Sequence, residues 1–279
     1  MDIKAQDVKK LREKTGAGMM ECKKALVKAE GDFSKAERIL KELGLAAAKK
    51  RGGRETNEGR IFSKISNSKG IILELSCETD FVARNKDFIL LGEKLLNIID
   101  EKNLTKPTEE LETCVKYTLA RIKENLGLKR FTVVNAEDNE LLVEYIHGEG
   151  RIGVIVKIKV SDPALKDNDK VKQTSFDLAL HVAAFAPMYL SRDSVDNAYI
   201  QEQEGLFIKQ AEKLGKPEKV IQGIVKGKMS KHFSEVCLLD QGFVKDEKQK
   251  VAKVLKDLSN EVGGNVEVVD FIYFRLGSE

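Results

Sequence analysis

The residues best suited to binding chemistry form one short stretch, Thr79-Asp80-Phe81-Val82. It places a carboxylate beside a large aromatic ring, between a run typical of a buried strand and an amphipathic stripe typical of a helix. Loops that a rigid scaffold holds at strand ends often carry binding residues. The same stretch also suits a purely structural role, in which Thr79 or Asp80 caps the helix and Phe81 or Val82 packs on its first turn. Spacing alone leaves both roles open.

Patterns typical of catalysis and metal binding are missing from the sequence. The three histidines, His147, His181 and His232, are far apart and belong to no HxH or HExxH signature. Gly16 and Gly18 match no phosphate-loop spacing, and a tight turn between two helices explains them. The four cysteines form no CxxC pair, which disfavours a disulfide scaffold or a zinc site. We therefore expect no enzyme activity, catalytic residue, metal site, cofactor or directly bound nucleotide.

Composition and length narrow the class of protein further. A chain of 279 residues, 42% apolar and 33% charged, is typical of a globular protein with two or three domains. The 48 basic and 45 acidic residues give a net charge of only +3, which disfavours a dedicated nucleic-acid binder. The sequence contains no run of eighteen apolar residues, so we expect no membrane-spanning segment. The charged N-terminus does not resemble a signal peptide, so we expect a cytoplasmic protein.

The first part of the chain predicts a small helical domain and a linker. Residues 1–45 carry three short apolar-periodic segments separated by glycine turns. We expect Asp7 to cap the first helix and Asp32 to cap the third, which should end at Gly44. Residues 46–59 combine glycines and basic residues with little apolar material. They predict a linker whose basic cluster is solvated.

The rest of the chain alternates strands and helices, which predicts an α+β fold with antiparallel sheets and helices on one face. We divide it into core subdomains at 60–140 and 141–279, the second interrupted by an antiparallel helical hairpin at 191–229. The expected strands are 60–66, 70–77, 131–134, 141–146, 151–160 and 266–276, and the expected helices are 85–103, 108–125, 169–185, 194–214, 217–229 and 248–262.

Three motifs in order resemble the bacterial elongation factor Ts family. They are CETDFVARN at 77–85, VKKLREKTGAGMMECKKAL at 8–26 and YIHGEGRIGV at 145–154, with a looser match, HVAAFAP, at 181–187. The resemblance extends from about residue 8 to residue 275. It implies an N-terminal domain like the ubiquitin-associated (UBA) domain, two core subdomains and an inserted helical hairpin. It also implies a partner, the GTPase elongation factor Tu, from which members of the family release GDP.

The resemblance also implies roles for individual residues. The partner-facing residues would be Arg12, Met19, Met20, Lys23 and His147, and the residues that dislocate the partner's Mg²⁺ would be Thr79, Asp80, Phe81 and Val82. Without the resemblance, the two methionines could equally fill a core or form an adaptable surface. His147 would be an ordinary strand-end histidine. His181, on an apolar helical face, is expected to be a buried core histidine whatever the family.

One departure from the family and one competing function remain. Members often continue past the last strand with a further helix that docks on the GTPase. Because this sequence ends at Gly277-Ser278-Glu279, we expect that contact to be missing.

The competing function is a ribosome- or RNA-associated protein that uses Lys49, Lys50, Arg51 and Arg54. Such a protein should show RNA affinity that falls steeply with salt.

Overall fold

The computed structural model describes residues 3–278, without the side chains at 45, 47–50 and 120. The N-terminal helices are α1 (Ala5–Thr15), α2 (Met19–Lys28) and α3 (Phe33–Arg51). They bury a small apolar core that includes Leu11 and Leu26. Asp32 caps α3 as expected, because its carboxylate accepts the Lys35 N–H at 2.9 Å. Asp7 is not a cap, since α1 begins at Ala5 after an extended Lys4.

The expected linker at 46–59 is wrong in its first part. Helix α3 does not stop at Gly44 but continues to Arg51. Residues 46–51 are three alanines followed by three basic residues, all good helix formers, whereas a single interior glycine costs only about 1 kcal/mol. The irregular connection is therefore confined to 52–57, and the first strand begins at Glu58.

The next part of the chain is an antiparallel sheet covered by helices on one face. Its strands lie in the order β1-β2-β3, and the helices pack an apolar core against them through residues such as Leu73, Phe88 and Leu95. Helix α6 ends earlier than expected because Lys123 adopts a left-handed conformation with φ of 69°. The elements are β1 (Glu58–Ser66), β2 (Lys69–Cys77), α4 (Asp80–Ala83), α5 (Lys86–Glu101), α6 (Glu109–Ile122) and β3 (Leu126–Asn135).

The second part repeats this plan with strand order β4-β5-β8 and two covering helices. The expected helix at 248–262 is wrong at its start. Residues 246–250 form a strand that pairs with β6, and the helix begins at Val251, the first buried residue of its apolar stripe. The elements are β4 (Glu140–His147), β5 (Ile152–Val160), α7 (Asp169–Phe185), β6 (Gly242–Phe243), β7 (Asp246–Lys250), α10 (Val251–Val262) and β8 (Val266–Arg275).

The two sheets pack face to face. Ile61 and Ile72 from the first sheet meet Ile155 and Phe274 from the second in a shared apolar cluster. The approach is close at Gly153, where an added Cβ would lie 2.5 Å from the Ile61 side chain. The fold class is therefore the expected α+β, with antiparallel sheets and helices on their outer faces. The division of the chain into independent domains stays a prediction.

A helical hairpin interrupts the second half, as expected, but it begins and ends about seven residues later than the predicted range 191–229. Its helices are α8 (Asn197–Glu212) and α9 (Glu218–Val236). Helix α9 continues because Met229 and Val236 are buried, the first against α8 and the second at the base of the hairpin. Within residues 3–278, no helix is both long enough and apolar enough to cross a membrane.

Candidate protein-binding surface around Phe81

Strand β2 delivers the chain to a single helical turn, α4, that presents Phe81 to solvent. The Phe81 side chain is 82% exposed, whereas Val82 and Ala83 beside it are buried in the core of the first half. Thr79 caps the turn, since its hydroxyl accepts the Val82 N–H at 3.4 Å. The structural role considered from sequence is thus correct for Thr79 and Val82. It is wrong for Phe81, which packs on nothing that would bury it.

The base of α4 is held by buried and charged partners. The carboxylate of Glu124, in the loop that follows α6, accepts both the N–H and the hydroxyl of Thr79, at 3.0 and 2.8 Å. The thiol of Cys77 donates to the Thr79 carbonyl at 3.1 Å. Burial, followed by the nearby charge of Glu124, raises the pKa of Cys77 to about 12, so the thiol stays protonated and keeps donating.

Asp80 and Arg84 place charge next to the Phe81 ring. The side chain of Asp80 is accessible, and Oδ2 lies 3.9 Å from the Arg84 guanidinium. Arg84 also pairs at 3.3 Å with Glu149, which belongs to the turn between β4 and β5. Through this contact the second half of the molecule touches the turn that carries Phe81.

Two exposed methionines lie at the start of α2. Met19 is 44% and Met20 is 64% exposed, so of the two possibilities open from sequence, core or surface, the structure has surface. The turn before them is closed by Glu21, whose carboxylate accepts the Gly18 N–H at 3.0 Å. Arg12 and Lys23 are exposed as well. This end of α2 therefore presents flexible apolar side chains with basic neighbours, a combination suited to an adaptable protein contact.

His147 ends β4 in an exposed position. Its Nδ1 lies 3.0 Å from the Tyr145 hydroxyl, and the Tyr145 ring meets Phe176 edge-on. The ring of His147 is therefore oriented by a hydrogen bond rather than packed into the core. No metal-ligand cluster of three His, Cys, Asp or Glu side chains exists in the described part of the chain.

Ion pairs and hydrogen bonds bring these separate stretches to neighbouring positions. Glu21 of α2 lies 3.9 Å from Lys123, the residue next to Glu124, which holds α4. On its other side α4 contacts Glu149, two residues after His147, through Arg84. The start of α2 is thus linked to the α4 turn through Lys123 and Glu124, and the turn after β4 contacts α4 directly through Glu149. We call these three stretches together the Phe81 surface.

His181 is the buried core histidine expected from its apolar helical face. It has no exposed surface, its Nε2 lies 2.9 Å from the Gln241 side-chain oxygen, and Nδ1 accepts the Val244 N–H at 3.1 Å. Burial lowers its pKa, which the hydrogen bond to Gln241 only partly offsets. His181 is therefore a neutral structural residue away from the Phe81 surface.

Sequence reasoning missed the residues that hold α4. Glu124 and Glu149 reach the turn from other elements, and no local pattern marks an acid that will bond a backbone N–H 45 positions away. Among the basic residues considered for RNA, Arg54 pairs with Glu78 at 3.2 Å. The side chains of Lys49 and Lys50 lie outside the described residues.

Comparisons with known proteins agree with this architecture. Residues 78–278 match the family model described as Elongation factor TS. The chain is 47% identical over 277 residues to Elongation factor Ts of Treponema denticola, covering 99% of both chains. It is 46% identical over 278 residues to that of Borrelia hermsii, covering 99% of this chain and 100% of the relative. It is also 46% identical over 276 residues to that of Borreliella burgdorferi strain B31, covering 99% of both. The chain belongs to the elongation factor Ts family of translation elongation factors.

Proposed function

We propose that this protein is a guanine nucleotide exchange factor for elongation factor Tu. It binds the GTPase and promotes GDP release by disturbing the site that holds Mg²⁺ and the phosphates. The observation that carries the proposal is the exposed Phe81 ring on a turn whose cap, Thr79, is held by hydrogen bonds and whose Val82 and Ala83 are buried. An exposed aromatic side chain on a fixed base can enter a partner without first losing the freedom of a mobile loop.

Energy considerations require more than Phe81. A GTPase holding GDP with about nanomolar affinity stabilises it by about 12 kcal/mol. Burying one phenylalanine supplies only about 1.5–3 kcal/mol. The remainder has to come from a wider interface, for which Met19, Met20 and His147 are accessible on the Phe81 surface. We assign them, with Arg12 and Lys23, to partner binding.

The mechanism needs no covalent step and no chemistry from this chain. Phe81, with Asp80 beside it, enters between helices of the GTPase and moves the groups that organise its Mg²⁺ and phosphate loop. Those groups offset the phosphate charge, so displacing them weakens GDP binding. Because coupling is reciprocal, the factor weakens nucleotide binding as much as nucleotide weakens factor binding. Excess GTP then sets the direction of exchange, and the factor acts without being an enzyme in the chemical sense.

Release of a fluorescent GDP analogue from elongation factor Tu tests the proposal. Increasing concentrations of this protein should raise the release rate to a plateau, with excess unlabelled GDP as the chase. A release rate independent of this protein would exclude the function. Binding to RNA with a steep salt dependence, in place of exchange, would favour the competing class.

A further inference from the structure

We propose that Glu124 is a positioning residue for exchange, because it holds the turn that carries Phe81 in its working orientation. Glu78, the residue before Thr79, makes a second contact between the same two loops, because its carboxylate accepts the N–H of Asn125. The four residues Glu78, Thr79, Glu124 and Asn125 form what we call the carboxylate clasp. The inference rests on the proposed exchange function and identifies how its central side chain is kept in place.

The first half of the clasp joins the loop after α6 to the residue that caps α4. Each oxygen of the Glu124 carboxylate accepts one hydrogen from Thr79, Oε2 from the N–H at 3.0 Å and Oε1 from the hydroxyl at 2.8 Å. The same hydroxyl accepts the Val82 N–H, which its second lone pair allows. Hydrogen bonds to a charged acceptor are roughly twice as strong as neutral ones. Thr79 stands two residues before Phe81.

In the second half of the clasp the roles of the two loops are exchanged: the loop before α4 supplies the carboxylate and the loop after α6 supplies the N–H. The Glu78 carboxylate accepts the Asn125 N–H at 2.6 Å. The Asn125 amide donates to the Arg54 carbonyl at 2.7 Å, and the Arg54 guanidinium pairs with Glu78 at 3.2 Å. Two adjacent residues in one loop therefore exchange carboxylate-to-backbone bonds with two adjacent residues in the other. Arg54 ties the connection after α3 into the same network.

The turn needs this hold because it is too short to keep its own shape. Helix α4 has four residues, Asp80–Ala83, and a single helical turn has little stability in isolation. Phe81 cannot help to fix the orientation of the turn, because its ring is exposed and does not pack against the core of the protein. Orientation therefore depends on the burial of Val82 and Ala83 and on the clasp.

Loosening the clasp should lower the rate of exchange more than the affinity for the partner. Met19, Met20 and His147 would still dock, because none of them is part of the clasp. A misplaced Phe81 would then meet the partner's helices at the wrong angle. Misplacing a functional group by about 1 Å can cost about 100-fold in rate.

The experiment compares Glu124→Ala and the isosteric Glu124→Gln with Glu112→Ala. Glu112 lies on α6, the helix that leads to Glu124, and within the described residues its carboxylate pairs with exposed Lys116, so its removal tests a general effect on the helix. Release of fluorescent GDP from elongation factor Tu is followed over a range of factor concentrations. This separates the plateau rate from the half-saturating concentration. Hydrogen–deuterium exchange of residues 78–84 in the free protein reports on the turn itself.

We expect Glu124→Ala to lower the plateau rate about 10-fold while the half-saturating concentration changes less than about threefold. Glu124→Gln, which keeps the shape and one acceptor, should lie between it and the wild type, and Glu112→Ala should match the wild type. Hydrogen exchange at 78–84 should be faster in both Glu124 variants. If Glu124→Ala does not fold, Glu124→Gln with the hydrogen-exchange comparison carries the test.

Two results would overturn the inference. One is a plateau rate within about twofold of wild type in the Glu124 variants, since a purely structural residue acts on stability and not on the rate of folded protein. The other is unchanged hydrogen exchange at 78–84, which would show that the clasp does not hold the turn. If the wild-type protein does not accelerate GDP release from elongation factor Tu, the proposed function is wrong. Faster hydrogen exchange at 78–84 in the Glu124 variants would then still show that the clasp holds the turn, but not that the turn serves exchange.

Discussion

At the scale of single residues, two neighbouring side chains of α4 differ in burial: one packs in the core and the other faces solvent. Val82 is buried in the core of the first half and Phe81 points away from it. A ring that is 82% exposed gains little stability from folding, which agrees with the partner-binding role that we propose for it. Truncating Val82 should therefore lower the stability of the protein, whereas truncating Phe81 should leave its stability almost unchanged.

Truncating each of these two side chains tests that division. Val82→Ala should lower the free energy of unfolding by about 2 kcal/mol, because it removes buried methyl groups and leaves a cavity. Phe81→Ala should change it by less than about 0.5 kcal/mol, the usual range for exposed positions. Urea denaturation followed by circular dichroism measures both. A Phe81→Ala loss as large as that of Val82→Ala would contradict the exposure of the ring.

His181 predicts a pH dependence of stability. Burial lowers its pKa in the folded protein, so below the unfolded value of about 6.5 the unfolded chain binds more protons. Its contribution is thus fully present above that pH and is lost as the pH falls from about 6.5 through the lower, folded pKa.

The comparison is made between wild type and His181→Gln. Between about pH 7 and pH 5 the wild type should lose more unfolding free energy than His181→Gln does. Thermal unfolding in matched buffers measures the difference. Parallel pH profiles for wild type and His181→Gln would show that His181 does not contribute.

At the scale of elements, helix α5 lies directly on the sheet at Gly92. A Cβ added there would come within 2.4 Å of the Phe62 ring, so the helix and strand β1 approach closely. On α9 of the hairpin, an added Cβ at Gly223 would meet open space. Both glycines lie inside helices, so the same substitution separates packing from helix propensity.

Gly92→Ala should destabilise the protein by about 1–3 kcal/mol, because the Phe62 ring has to move in a packed site. Gly223→Ala should stabilise it by about 0.5–1 kcal/mol through helix propensity alone. Chemical denaturation of the two variants beside wild type gives both signs. Equal effects at the two positions would mean that α5 does not approach β1 as closely as described.

Sequence periodicity predicted most elements but not all of their ends. The predicted range of α7 matches its whole observed length, because its apolar stripe is continuous; in the structure Asn168 caps it. The end of α3 was missed because Gly44 is a poor stop when alanines follow it. Strand β7 was missed because DEKQK has no apolar alternation and is a strand only through pairing with β6.

At the scale of the whole molecule, a nearly buried ion pair joins the two halves. Glu74 of β2 and Arg130 of β3 pair at 2.9 Å, with the Glu74 side chain only 4% exposed. Glu74 also accepts the Gly277 N–H, and Arg130 donates to the Arg275 carbonyl. The first sheet thereby holds the end of the last strand. Such contacts span up to 203 positions, and no local pattern indicates them.

Breaking this pair from one side should cost more than removing it. Arg130→Leu leaves the Glu74 carboxylate buried without its partner and should lower the unfolding free energy by about 3 kcal/mol. The double variant Glu74→Leu/Arg130→Leu should lose less, because no unpaired charge remains. Denaturation of both variants measures the difference. A double variant less stable than Arg130→Leu would show that the pair stabilises the fold beyond the cost of burying its charges.

The proposed role of Phe81 is tested most directly by the rate at which elongation factor Tu, saturated with Phe81→Ala protein, loses GDP. Leu214→Ala, which removes an exposed apolar side chain from the end of the hairpin, is the matched control. We expect Phe81→Ala to lower the plateau rate of GDP release from elongation factor Tu at least about 10-fold with little change in the half-saturating concentration. Leu214→Ala should leave both unchanged. A plateau rate for Phe81→Ala equal to that of wild type would contradict the proposed role of the ring.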